Sequence, residues 1–114
     1  MSGRKGRYYE NEFAKKLKER GWSARVTGFG QAGNDASRTE PDVESEIAGI
    51  PFCFEVKFRQ SMSSLLWSAV EQAQAAAHTK GGHPAVILRT RRRPHLVVME
   101  LDDFLELVKE VQGG

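Results

Sequence analysis

The sequence predicts an α/β domain, a mixed β-sheet flanked by α-helices. Apolar residues recur at helical spacing in three stretches and alternate with period two in others. The order is helix, hairpin, helix, strand, strand, helix, which a sheet with helices packed on it can bury. At 114 residues the chain is too short to divide into units that each bury a stable core, so a single domain spanning 1–114 is expected.

The first helix is expected from Tyr8 to Arg20, with Phe13, Ala14 and Leu17 on one stripe and Gly21 as its stop. Ser23 to Thr27 begins a strand. Gly28 to Glu40, rich in Gly, Asn, Asp, Ser and Thr and without an apolar period, reads as a long mobile loop. Asp42 to Ile47 and Ile50 to Phe58 flank Ala48-Gly49 as a hairpin. In its second arm Phe52, Phe54, Val56 and Phe58 alternate with Cys53, Glu55 and Lys57, so Glu55 and Lys57 share a face. Ser63 or Ser64 caps a second helix running to about Thr79, its buried stripe formed by Leu66, Ala69, Val70, Ala73, Ala76 and Ala77, and Gly81-Gly82 ends it. Ala85 to Arg89 and Leu96 to Leu101 are strands joined through Arg91-Arg92-Arg93-Pro94. Asp102 caps a last helix, 102–112, that carries Phe104, Leu105, Val108 and Val111.

A composition of 39% hydrophobic and 28% charged residues, with no apolar run near the ~20 residues that span a bilayer, excludes a membrane role. The basic N-terminus leads into an amphipathic stretch, so no secretory leader is expected and the compartment is cytoplasmic, or the host cytoplasm for a phage protein. One cysteine, Cys53, can form neither an intrachain disulfide nor a thiolate zinc site, so any metal is held by oxygen. The net charge of +2 is unevenly spread: residues 1–99 carry 16 Lys/Arg against 10 Asp/Glu, residues 100–114 one against five. Arg4, Lys5 and Arg7, then Lys15, Lys16, Lys18 and Arg20, then Arg89, Arg91, Arg92 and Arg93 cluster as a phosphate-binding surface requires. Arg25, Arg38 and Arg59 are counted with the DNA-binding candidates. Solvated faces of a soluble domain would look similar.

Two acids and a lysine carry the chemistry. Asp42 opens one arm of the hairpin, and Glu55-Val56-Lys57 lies on the other with both charged side chains on one face. Hydrolysis of a phosphodiester needs a hard divalent cation to polarise the phosphate and acidify a water, and Mg²⁺ prefers carboxylate and carbonyl oxygens. Asp42, Glu55 and the Val56 carbonyl supply such oxygens. Lys57 can orient or deprotonate the water, or offset charge on the pentavalent phosphate. An acid and a lysine two residues apart are common by chance, and the bland alternative is a surface salt bridge. Glu10 falls on the stripe of Phe13, Ala14 and Leu17 and so faces the core, where a shared metal would satisfy its charge; its alternative is a first-turn acid favoured by the helix dipole.

Taken together, Arg4-Lys5-Gly6, Glu10 opening a helix that ends in Arg20-Gly21-Trp22, Pro41-Asp42, Phe54-Glu55-Val56-Lys57 and Gly81-Gly82-His83-Pro84 resemble the archaeal-type Holliday junction resolvases over about Arg4 to Glu100. The resemblance implies a PD-(D/E)xK (restriction-endonuclease-like) nuclease fold, dependence on Mg²⁺ or Mn²⁺, a homodimer, and paired cuts in four-way DNA junctions. It assigns Glu10, Asp42 and Glu55 to the metal and Lys57 to catalysis, with no small-molecule cofactor. The Pro-Asp and Glu-x-Lys parts are shared by many nucleases and specify chemistry better than substrate. Ser37 is the one serine in the 27–40 loop that can stand for the family's functional loop serine, and the acidic C-terminal helix has no counterpart in the basic core.

Two further patterns are set aside. Gly28-Phe29-Gly30-Gln31-Ala32-Gly33 has the spacing of a dinucleotide loop, but Asn34-Asp35-Ala36-Ser37-Arg38 after it does not open a helix. His78, His83 and His95 lack metal-ligand spacing. Paired incision of a nearly symmetric junction calls for two sites on a two-fold axis, which an isologous dimer provides. The rivals are a related nuclease acting on flaps, nicks or mismatches, and a non-catalytic DNA-binding module.

Overall fold

The computed structural model describes residues 3–27 and 40–113, with side chains from residue 7 onward. The element order is α1 (Gly3–Glu19), β1 (Ser23–Val26), β2 (Val43–Ile47), β3 (Ile50–Phe54), α2 (Ser64–Lys80), β4 (Val86–Leu88), β5 (Leu96–Val98) and α3 (Leu101–Gly113). The chain is thus an α/β protein whose described strands pair as a three-stranded sheet, β1-β2-β3, and a two-stranded sheet, β4-β5, both antiparallel. Two compact units form, Met1–Arg59 and Gln60–Gly114. No helix among the described residues is long and apolar enough to cross a membrane.

In the first unit α1 starts at Gly3, ahead of the expected Tyr8. It stops where the sequence indicates: Gly21 takes φ +91°, its N–H donates to the Lys18 carbonyl, and the Trp22 N–H donates to the Leu17 carbonyl. This reciprocal closure satisfies carbonyls the last turn would otherwise leave bare, and only glycine takes that φ without strain. The β2–β3 hairpin turns at Ala48 and Gly49, both with positive φ (56° and 81°), the conformation that matches the twist of two adjacent strands. Ala14 and Leu17 of α1 and Val43 and Ile47 of β2 form the buried core, and Phe13 meets Phe54 edge-on at 4.9 Å. Partners across the ladder share a face, so Val43, Ser45 and Ile47 line up with Phe54, Phe52 and Ile50, leaving Glu44 and Glu46 opposite Cys53 and Pro51 on the other side.

In the second unit the Ser63 hydroxyl caps α2 by accepting from the Leu65 N–H at 3.1 Å. At the other end the Gly81 N–H donates to the Ala77 carbonyl at 2.7 Å. Val70, Val86, Leu105 and Val108 are the buried apolar residues. Of the expected stripes, Leu66, Ala69, Ala73, Ala77 and Phe104 are half-buried, and Ala76 on α2 and Val111 on α3 are exposed. Ala76 has too little side chain to define a face, and Val111 sits in the last turn of its helix. Helix α3 begins at Leu101, which places Asp102 inside the first turn together with Asp103 instead of at the cap. Both acids there complement the helix dipole. His83 Nε2 and Glu110 Oε1 lie 2.9 Å apart.

Candidate active site

The hairpin register fixes the first geometric fact about the site. The β2–β3 ladder closes with the pair Val43–Phe54, so Asp42 lies one residue before β2 and Glu55 one residue after β3, both at the open end of the hairpin. The expected second arm ran to Phe58, but β3 ends at Phe54. Beyond that end the Asp42 Oδ2 accepts from the Val56 N–H at 2.9 Å. The alternation nonetheless persists through the site, with Phe52, Phe54 and Val56 half-buried and Cys53, Glu55 and Lys57 exposed.

Asp42 is also tied from the other side. Its carbonyl accepts from the Thr27 N–H at 2.9 Å, and the buried Thr27 hydroxyl donates to the Pro41 carbonyl. The residue is therefore anchored to β1 by its backbone and to the Glu55-Val56-Lys57 segment by its carboxylate. Lys57 Nζ lies 3.8 Å from Glu55 Oε1, and the two side chains are 80% and 62% exposed. A pair so open to water contributes at most about 1 kcal/mol, so stability gives it little purpose and both ends remain open to a ligand.

Glu10 is half-buried on α1, on the stripe of Phe13, Ala14 and Leu17. Among the described residues no group of three or more His, Cys, Asp or Glu is gathered as a metal-binding cluster. What is brought together is Asp42 and the backbone of the Glu55-Val56-Lys57 segment, through the Val56 N–H. Within the sheet, Arg25 Nη2 bonds Glu44 Oε1 at 2.7 Å, and a cleft of about 490 Å³ is lined by residues of all three strands, Arg25, Glu44 and Cys53 among them. Arg7 and Arg59 are exposed in the first unit, and Arg91, Arg92 and Arg93 are exposed in the β4–β5 connection of the second. The side chains of Arg4 and Lys5, the loop residues Ser37 and Arg38, and most of the glycine-rich loop lie outside the described residues.

The sequence reading missed one cluster. Tyr9 stacks on Phe58 with ring centroids 4.0 Å apart and planes 3° apart, and Tyr8 meets Tyr9 edge-on at 4.9 Å. Phe58 had been read as part of a strand's apolar face. The available signal was the alternation of cation and ring in Arg7-Tyr8-Tyr9 and Lys57-Phe58-Arg59.

A family described as phage putative PDDEXK endonuclease matches residues 1–113. No curated protein and no solved structure matches the chain.

Proposed function

The chain belongs to this family of phage PDDEXK endonucleases, and from that premise we propose that it is a divalent-metal-dependent endodeoxyribonuclease that cuts four-way DNA junctions as a homodimer. The observation that carries the assignment of the site is the bond from the Val56 N–H to Asp42 Oδ2. It ties the Asp42 carboxylate to the backbone of the segment that carries Glu55 and Lys57 at the open end of a hairpin.

The donor chemistry fits a hard cation. Asp42, Glu55 and the Val56 carbonyl offer only oxygen, the preference of Mg²⁺ and Mn²⁺, and Glu10 is the further acid that α1 can contribute. A cation held there supplies polarisation of the phosphate and a water acidified toward neutral pH. The remaining work falls to the chain itself. Asp42, bonded at both its backbone and its carboxylate, keeps the Val56 peptide from rotating. Lys57, exposed beside Glu55, places an ammonium where it can orient the attacking water or offset charge on the five-coordinate phosphorus. The exposed arginines attract the phosphate backbone and hold it without regard to sequence.

The junction reading carries the homodimer with it, since paired incision by a chain of this size needs two copies of one site. Competition between a labelled four-way junction and a flap of equal length tests it. Preferential cleavage of the junction at symmetric positions is expected. Equal or greater cleavage of the flap would move the substrate class to other branched DNA while leaving the metal site intact.

A further inference from the structure

The aromatic cluster is built from two segments that also carry candidate site residues. Tyr9 immediately precedes Glu10 on α1, and Phe58 immediately follows Lys57, so the stacked pair joins the two segments that carry candidate catalytic residues. The rings are not core. Phe58 keeps 50% of its surface exposed although Tyr9 covers one ring face, and Tyr8 is 59% exposed. Large aromatics left in water forgo the gain of burial, and these are next in sequence to the exposed cations Arg7, Lys57 and Arg59. Rings interleaved with cations suit a ligand that has flat apolar faces strung on a line of negative charge. A nucleic-acid strand with its bases out of the duplex stack is such a ligand, because every base has a π-face and every linkage a phosphate. Intact duplex offers the phosphates but keeps its base faces covered.

We propose that Tyr8, Tyr9 and Phe58 form a stacking platform for an unstacked nucleobase beside the scissile phosphate. The substrate is then DNA with unpaired or unstacked bases at the cut, in preference to continuous duplex. The inference rests on the nuclease reading of Asp42, Glu55 and Lys57 and adds the feature of DNA that the site selects. The same platform serves a four-way junction, whose crossover interrupts stacking.

The test uses the full chain without divalent metal, so that binding is read apart from cleavage. A fluorescent adenine analogue is placed in an unpaired position beside the expected cut, and in a fully paired control of the same length and salt. Binding is expected to change the fluorescence of the unpaired probe and not that of the paired one. Phe58→Ala should weaken binding of the unpaired DNA by about tenfold, the scale of one lost base–aromatic stack, with little effect on the duplex. Phe58→Trp should restore it. Because Phe58→Ala also removes a contact of Tyr9, Tyr8→Ala is made in parallel, and the fold of each variant is checked by circular dichroism. Equal losses for both DNAs, or an unpaired probe indifferent to binding, overturn the platform while leaving the nuclease site standing. Failure of the wild-type chain to bind either DNA overturns both.

Discussion

Asp42 performs two tasks that substitution can separate. Its Oδ2 accepts from the Val56 N–H at 2.9 Å in a partly buried setting, and its negative charge is available to a cation. In Asp42→Asn the amide oxygen can still accept that N–H. A bond to a charged acceptor contributes about 1.5–3 kcal/mol and one to a neutral acceptor about 0.5–1.5 kcal/mol, so the stability lost is about 1 kcal/mol. Asp42→Ala leaves the N–H without its acceptor and costs about 1–3 kcal/mol. At about 4 °C per kcal/mol for a chain of this size, alanine should lower Tm by about 4–12 °C and asparagine by about 4 °C or less. Cleavage should fall in both variants by more than about 100-fold, beyond the loss expected for a group that only orients a metal ligand. Urea and thermal unfolding followed by circular dichroism, beside metal-dependent cutting of a labelled junction, measure the two effects. An Asp42→Asn protein that cuts at the wild-type rate would refute the metal role, and an Asp42→Ala protein as stable as wild type would refute the anchoring role.

Three further outcomes are expected. Lys57→Ala should lower the cleavage rate by about 10² or more with metal affinity little changed; calorimetry showing lost metal binding would instead assign Lys57 to holding Glu55 in place. Replacing Arg91, Arg92 and Arg93 together by Gln should make the salt dependence of junction affinity shallower by about one unit of log–log slope for each arginine that contacts phosphate, and an unchanged slope by filter binding would leave these charges as solvated surface. Glu44 holds Arg25 at 2.7 Å and adds a negative charge two residues from Asp42, so Glu44→Gln should tighten metal-free DNA binding by about fivefold, the effect of roughly 1 kcal/mol of Coulomb repulsion in water. If the gain comes from freeing Arg25 it disappears in the Arg25→Gln background, and a gain of the same size there would contradict that route.

Local signals made much of this fold legible. Gly21 marked the end of α1, Ala48-Gly49 marked the hairpin, and Ser63 was one of two serines offered as the cap of α2, because each acts within a few residues of its own position. The alternation from Phe52 to Lys57 placed Glu55 and Lys57 on one face for the same reason. What escaped the reading depends on distant partners. Beyond the end of β3 at Phe54, the side chain of Asp42, just ahead of β2, takes the Val56 N–H, a contact that no periodicity reveals. The stacking of Tyr9 on Phe58 joins residues far apart in sequence, and the apolar character of Phe58 alone suggested burial. Helix α2 carries apolar residues around much of its circumference, Leu65 and Trp67 among the exposed ones, so its buried stripe could not be drawn sharply and Ala76 was placed on the wrong side of it.

The central claim is that the Asp42–Glu55 end of the hairpin cuts DNA with the help of a divalent cation. Its most direct test incubates wild-type protein and Glu55→Gln with a labelled four-way junction and its matched duplex, with Mg²⁺ and with Mg²⁺ removed by chelation, while junction binding is recorded in parallel. The account predicts Mg²⁺-dependent nicks in the junction by wild type, no nicks by Glu55→Gln, and similar binding by the two proteins. Cleavage that persists in Glu55→Gln, or in wild type after chelation, would contradict it.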